Sequence, residues 1–124
     1  MPSPEAALYQ FLSGMGMPAY PTTSVPDDAQ LPYLTYDLTV GDWDSGEVNV
    51  PVRVWDRTSS EAKLNAMVRT IGGRVPRGGA MVPCDGGALW VKRGSPWAQA
   101  MEDGTDPTVK SRYLNVDIEY LITE

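Results

Sequence analysis

Residues 47–55, EVNVPVRVW, decide how the rest of the chain is interpreted, because every second residue is a valine. Successive side chains of a β-strand point to opposite faces, so this alternation predicts a strand with one apolar face. Pro51 cannot donate a hydrogen bond to a neighbouring strand, so the strand is predicted to be an edge, or to have one side free at that position. The residues predicted to face inward are Val48, Val50, Val52 and Val54.

Four further strands follow from similar alternation, at residues 33–40, 80–84, 87–93 and in a long terminal segment. In the terminal segment the predicted inward residues are Leu114, Val116, Ile118, Tyr120 and Ile122. Asp85 and Gly86 join the predicted strands at residues 80–84 and 87–93, and they are a residue pair favoured by tight primed turns. Residues 17–32, with four prolines, are predicted to be an extended surface connection. Residues 94–112, with glycine, proline and charged residues, are predicted to be a functional or partner-ordered loop.

Two amphipathic helices are expected. Ser3, Pro4 and Glu5 have the order of an N-cap, a proline in the first turn and a helix-start acid, and Gly14 and Gly16 end the helix. A second helix is predicted from a capping box of Thr58 and Glu61, with apolar residues at helical spacing up to a stop at Gly72 and Gly73.

The sequence thus predicts a single α+β domain over residues 1–124. Its expected architecture is a mostly antiparallel sheet of four to five strands with two amphipathic helices packed on one face, in the order α-β-β-α-β-β-β. A chain of 124 residues with 42% hydrophobic residues is of the size and composition of one globular domain.

Charge and composition exclude several classes of function. The net charge of −6 disfavours both a phosphate-binding nucleic-acid interface and attraction to an anionic membrane. No signal peptide or membrane-spanning segment is expected, and the single cysteine, Cys84, favours folding in a reducing cytoplasm. Histidine is absent, which removes the commonest general base and nitrogen metal ligand.

None of the candidate chemical motifs is complete. Asp42, Asp44 and Glu47 resemble the start of a calcium loop, but the required glycine and the closing glutamate are missing, so a solvated turn is favoured over a weak metal site. The glycine-rich stretches lack the spacing of a phosphate-binding loop, and Cys84, without a histidine as base, is predicted to be a buried thiol. No catalytic residue, cofactor or metal is therefore predicted.

The tryptophans point instead to an interface. Trp43 lies in a predicted hairpin tip and Trp97 in a predicted loop, so neither has an obvious core to fill. Exposed tryptophan and methionine beside charged residues are typical of protein interfaces, which makes Trp97 and Met101 candidates for contact with another chain. The alternative is a small cluster that holds the long loop in place.

Three segments, residues 17–38, 48–72 and 89–121, together resemble a family of small tail-completion proteins of tailed bacteriophages and prophages. Members are often described as minor capsid or minor tail proteins and are similar in architecture to lambda-type tail terminators. The resemblance rests on MPAYPTTSVPDDAQLPYLTYDL, VNVPVRVWDRTSSEAKLNAMVRTIG and LWVKRGSPWAQAMEDGTDPTVKSRYLNVDIEYL, in that order along the chain.

The resemblance implies a structural virion protein of the tail or neck, assembled in the bacterial host cytoplasm. Such subunits form a homo-oligomeric ring, commonly a hexamer, at the end of the tail tube, stop its growth and offer a docking surface to the head connector. DNA would pass through the ring without sequence-specific binding. The residues expected at subunit or partner interfaces are Asp42, Trp43, Asp44, Arg57, Arg93, Pro96, Trp97, Met101 and Arg112. The alternatives are a head-closure or neck adaptor and a small ligand- or metal-binding domain.

Overall fold

The computed structural model describes residues 1–37, 43, 46–101 and 106–122, with Met101 described by its backbone alone. Two helices, α1 and α2, lie at Pro4–Ser13 and Glu61–Arg74. The strands are β1 (Ala19–Pro21), β2 (Tyr33–Tyr36), β3 (Glu47–Arg57), β4 (Ala80–Cys84), β5 (Gly87–Met101) and β6 (Val109–Ile122), and a 3₁₀ turn, Thr22–Ser24, follows β1.

The described strands form one six-stranded mixed, curled sheet in the order β1-β2-β3-β6-β5-β4. β1 runs parallel to β2, and the other neighbouring pairs are antiparallel. The predicted sheet of four to five antiparallel strands in the order α-β-β-α-β-β-β is therefore wrong. The additional strand, β1, comes from the proline-rich connection, where Leu34 N donates to Pro18 O at 2.8 Å as the parallel pairing begins.

β3 is an interior strand, so the prediction that it is a sheet edge is wrong. Its full length pairs with β6, and its second half also pairs with β2. Asp37 N donates to Pro51 O at 3.0 Å, but Pro51 has no N–H with which to return the bond. The proline thus removes one hydrogen bond at the end of the β2–β3 pairing and leaves the β6 side intact.

β5 continues through the stretch that was predicted to be a loop. Ala98–Met101 pair with residues 111–114 of β6, after a register shift between Arg93 and Ala98. Asn115 Nδ2 donates to Pro96 O at 2.6 Å across the shift, and Trp97 packs against the core. The long partner strand supplies hydrogen bonds that a local stretch rich in glycine and proline does not specify by itself.

The N-cap predicted from local sequence is correct for α1 and wrong for α2. Ser3 is the N-cap of α1, as predicted, and its Oγ accepts from Ala6 N at 3.1 Å. The N-cap of α2 is Ser60 rather than Thr58, because Ser60 Oγ accepts from Lys63 N at 3.1 Å while Thr58 Oγ1 accepts from Ser60 N.

Glycine does not end α2 where the sequence predicted a stop. The helix continues through Gly72 and Gly73 to Arg74. Gly72 is buried against the guanidinium of Arg93, and a Cβ at this position would lie 3.0 Å from Arg93 Nη2. Its lack of a side chain therefore permits a close approach rather than a helix end.

The β4–β5 turn lies at Asp85 and Gly86, as predicted, but it is not a primed turn. Gly86 has φ +81°, whereas no non-glycine residue in the described part of the chain has a positive φ. Type I′ and II′ turns require a positive φ at the first central residue, which here is Asp85.

The core lies between the helices and one face of the sheet. Val50, Val52 and Val54 are buried as predicted, and α1 and α2 contribute to the same cluster through Leu8, Leu12, Leu64 and Ile71. Two expectations fail: Ile122 is 58% exposed, and Trp43 belongs to the core at 5% exposure, with its Nε1 donating to Glu5 Oε1 at 3.1 Å. A contact with α1, distant in sequence, gives Trp43 the core that its local context lacks. In the described residues, neither helix is long and apolar enough to cross a membrane.

Candidate interaction surface

The face of the sheet opposite the core, which we call the open face, carries two tryptophans stacked on cations. The Arg53 guanidinium lies 4.2 Å from the centre of the Trp55 ring, and Lys92 Nζ lies 4.3 Å from that of Trp90. Alternation along β3 and β5 places these four side chains opposite the buried residues. Arginine or lysine over an indole adds attraction between the cation and the ring electrons.

Hydrogen bonds fix the Trp55 end of the open face. Trp55 Nε1 donates to Thr35 Oγ1 at 2.9 Å, and Arg53 Nη2 donates to Ser111 Oγ at 3.1 Å. Thr35 and Ser111 are buried beneath these larger side chains. The two small hydroxyl residues therefore hold the indole and the guanidinium in defined orientations.

At the Trp90 end, Lys92 forms ion pairs with Glu47 and Glu119 across the neighbouring strands. The hydrogen bond to Glu47 is the main reason why the pKa of Lys92 is raised above its usual value. Trp90 Nε1 donates to Gly78 O at 3.0 Å. The polar groups of Trp90 and Lys92 thus have partners within the subunit, and the charge of Lys92 is balanced by the two glutamates.

A cavity of about 470 Å³ lies where residues 22–31 cross the open face. Its floor includes Trp55 and Val109, and its wall includes Val25 and Leu31. The Pro26–Ala29 turn, closed by Ala29 N donating to Pro26 O at 3.1 Å, exposes Asp27 and Asp28. Neither carboxylate forms an ion pair with any residue that the structure describes.

Arg93 and Trp97, both predicted interface residues, join β5 to the end of α2. Arg93 donates through Nε to Val75 O and through Nη2 to Gly72 O, the latter at 2.7 Å, and its guanidinium lies 5.1 Å from the Trp97 ring centre. Cations near a helix C-terminus satisfy its free carbonyls and oppose its dipole. Within the subunit, these two side chains therefore stabilise the junction of helix and sheet.

The other predicted interface residues lie in different settings. Arg57 is exposed and binds Asp106 at 3.1 Å and the Thr108 hydroxyl, while Pro96 is exposed and accepts from Asn115. Hydrogen bonds from Thr108, with those from Arg57, hold the pKa of Asp106 below its usual value. Asp42 and Asp44 lie outside the described residues, as does the side chain of Met101.

Arg112 is buried at 6% exposure and links β6 to α2. Its Nη2 binds the Glu61 carboxylate, and its Nε donates to Asn65 Oδ1 at 3.2 Å. Glu61 also binds Lys110 at 3.1 Å, and hydrogen bonds from Arg112 and then from Lys110 lower the pKa of Glu61. Sequence patterning missed this network because it joins residues that are about fifty positions apart.

Next to Arg112 lies a groove of about 440 Å³ between α2 and the last part of β5. We call it the α2–β5 groove; it is lined by Glu61, Asn65, Val68, Arg69, Ala98, Gln99, Ala100 and Arg112. β4 pairs only with residues 87–91, and in the described part of the chain no strand pairs with the outer side of β5 at residues 98–101. One wall of the groove is therefore an unpaired strand edge.

The sequence analysis considered Cys84 and the acidic side chains as candidate catalytic or metal-binding groups. Burial, and then the nearby charges of Asp85 and Glu5, raise the pKa of the Cys84 thiol, which opposes formation of the nucleophilic thiolate. Within the described residues, no three acidic or thiol side chains come together as a metal-binding group.

Comparison with protein-family models finds none that matches this chain, and comparison with curated protein sequences finds no match either.

Proposed function

We propose that this chain is a structural subunit of a bacteriophage or prophage tail, which forms a ring at the end of the tail tube, terminates tube growth and presents a surface for head–tail joining. The class of protein comes from the resemblance of three ordered segments to tail-completion proteins. The physical observation that supports assembly is the edge of β5 at Ala98–Met101, with which no strand in the described residues pairs.

An unpaired strand edge supports assembly because it presents backbone donors and acceptors in a row. Monomeric proteins usually block such an edge with prolines, charges or a covering segment, since it otherwise pairs with another chain. In β5, Pro96 and the register shift lie before the free edge and leave residues 98–101 in regular pairing with β6. This segment is therefore geometrically able to receive an additional strand or loop.

Ring closure requires two different surfaces on each subunit. A head-to-tail contact repeats around a closed ring when its rotation divides a full turn. β1 lies at one end of the strand order and the free segment of β5 lies near the other end, next to β4, which gives two such surfaces. A contact between them leaves the core untouched.

The first experiment is the mass of the purified chain by light scattering over a concentration series, with negative-stain images of the largest species. We expect a ring, with a hexamer at six times the 13.5 kDa of the chain. A mass of one subunit at every concentration, with or without tail tube protein, would contradict the proposal.

A binding experiment then distinguishes the terminator from the neck adaptor. The assembled species is mixed separately with tail tube protein and with portal or connector protein, and co-sedimentation is measured. A terminator binds the open end of tail tubes and prevents their further elongation. Binding to the portal alone would favour the adaptor.

A further inference from the structure

We propose that the α2–β5 groove receives the acidic Pro26–Ala29 turn of a second copy of this chain, so that neighbouring subunits are joined head to tail. This inference rests on the proposed ring and specifies its contact. The two surfaces carry opposite charge and lie on opposite faces of the same sheet.

The groove is a locally basic surface on an acidic protein. Among the described residues that line the groove, Arg69 and Arg112 are opposed by one carboxylate, Glu61, which Arg112 shares with Lys110. Arg69 is exposed and forms no ion pair with the described residues, although the chain as a whole has a net charge of −6. The groove is therefore the place where a second, similarly acidic subunit meets attraction rather than repulsion.

The acidic turn has the complementary properties. Asp27 and Asp28 are the two central residues of a closed turn, and both are exposed. Turn geometry fixes their backbone before contact, so docking orders fewer residues than docking of a flexible tail does. Each carboxylate accepts hydrogen bonds, and arginine presents a planar set of donors that suits carboxylates.

The opposite placement favours a head-to-tail contact over a symmetric dimer. The turn belongs to the connection that crosses the open face beside Trp55 and Val109, whereas the groove lies between α2 and β5 on the face that the helices cover. If two copies joined groove to groove, the arginines of the two grooves would face each other. Like charges across an interface are unfavourable, so the contact joins different surfaces and continues from subunit to subunit.

Charge reversal on each side tests the contact. Arg69→Glu reverses the groove, and the double variant Asp27→Lys, Asp28→Lys reverses the turn. Both sites are exposed, so each variant should keep the circular dichroism spectrum of the parent chain, and it should keep the parent's melting temperature at a concentration too low for the parent to assemble. The controls are Arg77→Glu and Asp85→Lys, each of which reverses one charge at an exposed position that belongs to neither surface; Asp85→Lys is compared with Asp27→Lys and Asp28→Lys made singly.

We expect either reversed variant alone to raise the subunit dissociation constant by at least about tenfold, with the controls unchanged. Mixing the two reversed variants should restore assembly, because each reversed surface then meets its complement in alternating subunits. The parent assembly should also weaken as salt concentration rises.

The experiment distinguishes failure of the groove contact from failure of the proposed function. If the parent chain assembles and the reversed variants assemble equally well, the groove contact is wrong while the ring stands. If each variant is monomeric but mixing does not restore assembly, the two surfaces do not meet each other, and the proposed pairing is again wrong. If the parent chain does not assemble at all, the proposed function itself is contradicted.

Discussion

The two faces of the sheet are made from alternate residues of the same strands, yet they are stabilised in different ways. Leu114, Val116 and Ile118 of β6 are buried beneath the helices, where burial of apolar surface is the main favourable contribution. Asn115, Asp117 and Glu119, between them, bind polar partners across the open face. The helix-covered face therefore supplies most of the stability of the subunit. The polar side chains of the open face form directional contacts and are not part of the core.

The largest effect is expected on the helix-covered face. Leu114→Ala should lower the free energy of unfolding by about 2–5 kcal/mol, because it removes buried methyl groups and leaves a cavity. Denaturant titration followed by circular dichroism measures the loss. The control is Gln99→Ala, on the exposed side of the neighbouring strand, which should change stability by less than about 0.5 kcal/mol. Equal losses for the two variants would remove the distinction between the faces.

A smaller loss is expected where the helix-covered face meets the end of α2. Arg93→Met keeps an apolar stem beside Trp97 but removes the donors to Gly72 O and Val75 O, and we expect a loss of about 1–3 kcal/mol. Hydrogen exchange should become faster in the last turn of α2 and remain unchanged in α1. Arg77→Met, at an exposed turn, is the control. Uniform acceleration in both helices would show that Arg93 has no local role at the end of α2.

On the open face, loss of one fixed hydrogen bond should cost less. Trp55→Phe removes the donor to Thr35 Oγ1 and weakens the stack with Arg53, so a loss of about 1 kcal/mol is expected. Tyr113→Phe on the same face should have little effect, because its hydroxyl has no hydrogen bond within the described residues. Thermal melting of the two variants in parallel makes the comparison. A larger loss than that of Leu114→Ala would reverse the proposed roles of the faces.

The smallest effect is expected from Glu61, which is exposed and whose contribution is screened by solvent. Arg112 and Lys110 hold the pKa of the Glu61 carboxyl below its usual value. The ionised form is thus favoured in the folded state, so its stabilisation is present above about pH 4.3, the unfolded value, and is lost as the pH falls through the folded pKa. Glu61→Gln should therefore lower the melting temperature slightly at pH 7.

The difference between Glu61→Gln and the parent chain should shrink as the pH falls below about 4.3, and melting curves over this acidic range measure it. Gln10→Ala, at an exposed position without a titrating side chain, should show no such pH-dependent difference. A difference that grows on acidification would contradict the direction of the Glu61 shift.

Features that depend on nearby residues were predicted from the sequence, whereas features that depend on distant contacts were missed. The valines of β3 and the Ser3 cap of α1 were predictable because their physical causes lie within a few residues. β1 was missed because three residues of a proline-rich stretch become a strand only when β2 lies beside them. The continuation of β5 was missed for the same reason, since β6 supplies its hydrogen bonds.

The residues of the candidate interaction surface were likewise predicted only in part. Arg93 and Trp97 were singled out because their segment is rich in interface-type residues, and the structure places them against α2. Trp43 had the same exposed-looking context but is buried beside Glu5. The α2–β5 groove had no sequence signal of its own, because Glu61, Arg69 and Arg112 come from different elements that folding brings together.

The sequence by itself determined the alternating strands, the positions of both helices, the acidic charge and the lack of histidine. Each of these depends on composition or on neighbours within a few residues. Only the tertiary structure decided the strand order, the parallel β1, the burial of Trp43 and Arg112, and the groove beside the free edge of β5. The physical reason is that backbone pairing and burial depend on partners tens of residues away, which no local pattern specifies.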